Sequence, residues 1–161
     1  MNPKLTAVRD LTPFGKLAET GVHRILGYQL AQATITTNRV FSAQVGQEFD
    51  LRPVEFTILT LVHDNPGVTA KQLARALALA PPNITVWMER LESRGLIERE
   101  RSTSDRRAQH ISTTAAGKAL ARDAAQRIVE GENLALAGLS AAERAMLVEL
   151  LHKVACSRQE K

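Results

Sequence analysis

The chain has 161 residues, 44 % of them hydrophobic and 24 % charged, with a formal charge of +4 and only 4 % aromatics. That fits one domain, or one domain with extensions, large enough to bury a core without staples. A lone cysteine, Cys156, excludes an intrachain disulfide and a cysteine-rich zinc site, and no apolar run approaches the roughly 20 residues that cross a bilayer.

The opening MNPKLTAVRD carries no helical period and no apolar signal core, so a cytoplasmic protein is expected. Abundant Ala and Leu favour helices. A pI near 9.6 permits a polyanionic partner without requiring one, so the placement of the charges matters more than their sum. From Pro13 to Phe49 apolar residues recur at three and four, from Val22 and Ile25 through Val40, Phe41 and Val45, which predicts one long helix with glycines 15, 21 and 27 as bends or an early break. A long amphipathic helix at a chain end has to bury its stripe somewhere, and a partner subunit is one such place.

A second helix is expected from Pro53, where the missing donor would be unpaired anyway, to the breakers DNPG. Thr69 followed by Gln72 is a capping box that starts a third helix at Ala70, with Leu73, Ala74 and Leu77 inward. A fourth runs from Pro82 to Arg94, closed by Gly95 at positive φ, with Ile84, Met88 and Leu91 facing the core. The period then changes to two: LIERER and AQHIST read as antiparallel strands around STSDRR. Thr114 caps a fifth helix, and Ser140 with Glu143 boxes the start of a sixth that carries Leu147, Leu150, Leu151 and Val154. The expected class is mainly α with a small β-hairpin, and three helices followed by a hairpin match a winged helix-turn-helix.

The outward face of the fourth helix holds Pro82 at its start, then Asn83, Thr85, Val86, Glu89 and Arg90. In a major groove Asn83 suits adenine, Thr85 a base or phosphate, Arg90 guanine or phosphate, Val86 a thymine methyl and Glu89 cytosine. An ordinary polar surface face remains the alternative at this point. Trp87 reads as packing beneath the helix. The hairpin adds Arg99, Arg101, Arg106 and Arg107 on one short projection, where a guanidinium suits a narrow minor groove. Asp105 among them makes sense if it holds an arginine in place through a fork-like contact.

LESRGLIERERSTSDRRAQHISTTAAG resembles the MarR family of bacterial transcription regulators. The matching residues are Leu91 and Glu92, Gly95 and Leu96, Arg99, Asp105 with Arg107, and Thr114 with Gly117. The chain departs from the pattern in lacking a proline before the wing aspartate, in Thr113 where a leucine is usual, and in the double proline before Asn83. The resemblance implies a homodimer, with a helical dimerisation segment over 1–48, a DNA-binding winged helix-turn-helix over 49–114 and C-terminal dimerisation helices over 115–161. It also implies repression at a pseudo-palindromic promoter site, and release by a small aromatic or phenolic acid in a cleft between the dimer helices and the DNA-binding lobe. Candidates for that cleft are His23, Arg24, Tyr28, Arg39, Arg52 and His63. Cys156 does not match the N-terminal peroxide-sensing cysteine of some members.

No glycine-rich phosphate loop, HExxH motif or nucleophile elbow is present, and His23, His63, His110 and His152 are scattered. No enzyme activity, catalytic residue, cofactor or metal is therefore expected. Three rival readings remain: a winged-helix protein-interaction module, a DNA-binding regulator without a ligand, and a nonspecific DNA coater with steep salt dependence.

Overall fold

The computed structural model of the chain describes residues 11–101 and 109–158. Six helices and one hairpin follow in order: α1 Leu26–Phe41, α2 Pro53–Asp64, α3 Ala70–Leu77, α4 Pro81–Ser93, β1 Ile97–Arg101, β2 Gln109–Thr113, α5 Ala115–Ala135 and α6 Ala141–Cys156. The expected class holds, and so do the expected starts of α2, α3 and α6; α4 begins one residue before the expected Pro82.

The N-terminal expectation needs correction. Residues 11–25 are turns, held by a bridge between Leu11 and Ala18 and by the Thr12 hydroxyl, which accepts from the Leu17 amide. Pro13, Gly15 (φ +77) and Lys16 (φ +52) put the chain where an α-helix cannot run. Past Phe41 the helix widens into a π-turn over Ser42–Gly46, and Asp50 (φ +46) then breaks the chain before α2. The apolar period read across 13–49 is thus shared by three conformations.

The core gathers one face of each middle element: Ile58, Leu59 and Val62 of α2, Leu73 of α3, Ile84, Met88 and Leu91 of α4, Ile97 of β1 and Ile111 of β2. Ala121 and Ala124 of α5 close it. The strands pair antiparallel from Ile97 opposite Thr113 to Arg101 opposite Gln109. Val68, between α2 and α3, bridges to Ile111, and the His110 Nδ1–H donates to the Gly67 carbonyl at 2.8 Å. The hairpin is therefore fastened along one edge to the α2–α3 turn.

Two left-handed turns fix the angles on either side of α4. After α3 the Leu79 amide donates to the Ala74 carbonyl at 2.9 Å, and Ala78 sits at φ +52. After α4 the Leu96 amide donates to Leu91 at 3.0 Å, with Gly95 at φ +66. Both are helix-ending motifs that favour glycine. A Cβ in the left-handed region costs about 1–2 kcal/mol. Against the extra chain entropy of glycine, Ala78→Gly is expected to raise stability by roughly 0.5–1 kcal/mol, read as a higher urea midpoint at unchanged slope. A lowered midpoint would show that the methyl group is held by its surroundings.

α6 is different in kind. None of its residues is buried, and Met146, Leu147, Val148, Leu150, Leu151 and Val154 all face solvent within this single chain. Its end is tied back to the body by Arg158, which donates to the Ala76 carbonyl of α3 at 3.0 Å. Among the described residues no helix is long and apolar enough to cross a membrane.

Candidate nucleic-acid interface

α4 begins with two prolines at its first two helical positions and carries no side-chain cap. Its inner stripe, Ile84, Met88 and Leu91, is fixed in the core, which dictates what points away. Asn83, Thr85, Val86 and Glu89 are exposed, as is Pro82. The Thr85 hydroxyl donates back to the Pro81 carbonyl at 3.1 Å, so towards a ligand it offers acceptor lone pairs. Trp87 is half-buried against the core, with the Arg52 guanidinium 5.3 Å above its ring, which is cation–π range.

Arg90 is placed differently from its neighbours on the outward face. Its Nε lies 2.9 Å from Oε1 of Glu55, a fully buried carboxylate of α2, and its Nη2 lies 3.7 Å from exposed Asp50. The Glu55 contact is ionic, without the alignment of a hydrogen bond. The other oxygen of Glu55 accepts from the Arg52 amide at 2.8 Å and caps α2. Arg90 is 34 % exposed, so it is bent back as a brace for α4. Arg94 finishes the same brace, donating to the carbonyls of Asp50 at 2.8 Å and Phe49 at 2.7 Å. Glu55 and Arg94 were missed in the sequence. A single carboxylate in the apolar run VEFTILTLV was the available sign for Glu55.

The base of the hairpin is locked to α4 as well. Arg99 of β1, largely covered, places Nε 2.9 Å from Glu92, again as an ion pair without hydrogen-bond alignment. Arg99 is thus turned towards α4 at the base of the hairpin. The tip residues Asp105, Arg106 and Arg107 lie outside the described residues.

The ligand candidates do not share one site: Arg24 is exposed, and the other five lie in four places. His23 and Tyr28 come together, but around a third residue: the Tyr28 hydroxyl donates to Glu19 at 2.6 Å and the His23 Nδ1–H to its other oxygen at 2.9 Å. The Tyr28 and His23 hydrogen bonds hold the Glu19 carboxyl below its usual range, and the Glu19 carboxylate pushes the Tyr28 phenol up. That carboxylate already stands where an acidic ligand would bind this pair. Arg39 lies 5.8 Å over the exposed Phe14 ring, and Arg52, at the N-cap position of α2, lies over Trp87. His63 sits about three turns further along α2; its Nδ1 and the Thr60 Oγ1 are buried without a hydrogen-bond partner. Among the described residues no cluster of His, Cys, Asp or Glu is suited to a metal.

Three packed helices, the third with an exposed outer face, and a hairpin fastened to its end define a winged helix-turn-helix protein. The MarR family model matches residues 51–108. A transcriptional regulatory protein named for the hcr operon of Thauera aromatica is 32 % identical over 130 residues, covering 80 % of this chain and 78 % of that protein. The solved structure of the transcriptional repressor CouR, bound to a 23-mer DNA duplex, is 30 % identical at a TM-score of 0.78, covering 86 % of this chain and 98 % of that one. A Mycobacterium tuberculosis MarR family protein in complex with p-aminosalicylic acid is 27 % identical at a TM-score of 0.65, over 81 % of this chain and 98 % of that one. The chain belongs to the MarR family of DNA-binding transcriptional regulators, and it is not an enzyme.

Proposed function

We propose that the protein acts as a homodimeric repressor in the cytoplasm. In this reading two copies of α4 enter successive major grooves of a pseudo-palindromic promoter site, roughly 34 Å apart, and the wing arginines reach the flanking minor grooves. The observation that carries it is the exposed outer face of α4, braced at its C-terminal end by Arg90 and Arg94. CouR, a repressor bound to a DNA duplex, supports the same use of the shared fold. The unburied apolar side of α6 supports the dimer, because monomers rarely leave such a patch in water.

Release by a small aromatic acid is the finer part of the proposal. It draws on the p-aminosalicylic acid complex of the M. tuberculosis relative and, in this chain, on the unpartnered Thr60 and His63 atoms one turn apart. A DNA-binding regulator without a ligand is the alternative to that part alone.

The wing is tested through Arg107. Titrating labelled promoter DNA from upstream of the protein's own gene, Arg107→Ala is expected to weaken binding at least tenfold and to reduce the salt slope by about one, with the dimer intact by sedimentation. Unchanged affinity would remove the wing from the interface. A protein that shifts no DNA at all points instead to a protein-interaction module, and tight binding with no sequence preference points to a coater.

A further inference from the structure

The outermost ridge of α4 is not the hydrogen-bonding surface that a helix N-terminus ordinarily offers. Pro81 and Pro82 occupy its first two helical positions, so two amide donors are absent outright. The next amide, of Asn83, already donates to the Ala80 carbonyl at 2.9 Å, and that of Ile84 to the same oxygen at 3.3 Å. The Thr85 hydroxyl hydrogen is turned back onto Pro81. What stands furthest from the core, at positions i, i+4 and i+7, is Pro82, Val86 and Glu89: two apolar groups and then an acceptor. Val86 is 57 % exposed in the middle of the helix.

The major groove displays one apolar group, the C5-methyl of thymine; every other base-edge signal there is a donor or an acceptor. We propose that Pro82 and Val86 are a reader of pyrimidine C5-methyl groups, and that this contact sets the sequence preference at the centre of each half-site. The inference rests on the reading that α4 lies in the major groove. It adds which chemistry is read there. Glu89, one turn further on, is placed to accept from a cytosine N4 amino group and to repel a phosphate, which keeps the ridge on the bases. Pro82 and Val86 are exposed and lie outside the core, so replacing them leaves the fold standing.

The test uses the full-length protein and a duplex enriched by repeated selection from a random-sequence pool. That duplex is resynthesised with deoxyuridine in place of each thymine in turn, which removes one methyl and leaves every hydrogen-bonding group and phosphate unchanged. Loss of one or two such methyls per half-site is expected to weaken binding roughly fourfold each, the effect of one buried carbon. In Val86→Ala the penalty at one position is expected to vanish, and in Pro82→Ala the penalty at a neighbouring position. At the same position a 5-methylcytosine·guanine pair should bind better than unmethylated cytosine·guanine. Deoxyuridine substitution without effect, or a penalty that persists in both variants, overturns the reader and leaves the DNA-binding function intact. Failure to enrich any sequence removes the sequence-specific function itself, and this inference with it.

Discussion

Gly117→Ala is expected to lower stability by about 3 kcal/mol or more, a large loss for one methyl group. Position 117 lies in the first turn of α5, where Thr114 accepts from the Gly117 amide at 3.0 Å and the Thr114 amide donates to the Leu96 carbonyl at 3.1 Å. A Cβ at this position would fall 1.9 Å from the Leu96 oxygen and 2.9 Å from its carbonyl carbon. These are backbone atoms held by the turn that ends α4, so no side-chain rotation relieves the overlap. The helix would have to lift away from the turn that aims the hairpin. For a chain of this size the loss corresponds to a fall in Tm of roughly 10 °C, compared at equal chain concentration because an oligomer's Tm depends on it. A fall of only a degree or two would show that α5 slides at little expense.

The second large effect is Arg90→Ala. Glu55 is fully buried, and with Arg90 gone its Oε1 keeps no cation close by; only its capping bond to the Arg52 amide remains. Removing one partner of a buried pair typically costs 3–5 kcal/mol. Arg90 is partly exposed, so about 2–3 kcal/mol is expected here. The diagnostic is a second substitution. Glu55→Gln keeps an oxygen for the Arg52 amide and removes the buried charge. The Glu55→Gln, Arg90→Ala double variant should therefore be more stable than Arg90→Ala alone. Additive losses would mean the two side chains are not coupled. The same result bears on DNA binding. An affinity loss in Arg90→Ala first has to be separated from unfolding, whereas one in an Asn83 variant does not, since Asn83 is exposed.

Local signals in the sequence carried the middle of the molecule well. Thr69 with Gln72 and Ser140 with Glu143 start helices because each pair satisfies amides that helix starts leave bare, and both boxes form. Gly95 ends α4 at positive φ for a reason written in the residue itself. The hairpin was visible as a change of period. The N-terminal third was less legible, because apolar residues at helical spacing recur through turns and a π-turn alike, and Pro13, Gly15 and Lys16 outweigh the period. On the candidate interface, the exposed face of α4 could be read from its buried stripe. The inward bend of Arg90 could not, since it depends on Glu55, a residue of another helix. The left-handed Ala78 was equally hidden: nothing in the residue type asks for that conformation, and the α3–α4 angle imposes it.

The two hydrogen bonds from Arg94 end on main-chain oxygens, those of Phe49 and Asp50. A carbonyl is the same whatever side chain its residue bears. The hydrogen bonds of this joint are thus indifferent to the side chains at positions 49 and 50, although Phe49 also packs against the core beneath Arg127 and Asp50 must hold a φ of +46. For these two hydrogen bonds the side-chain requirement falls on the donor, Arg94. A saturation scan is expected to find position 94 restricted to arginine, position 49 restricted to large apolar residues by packing rather than by hydrogen bonding, and asparagine and glycine favoured at position 50.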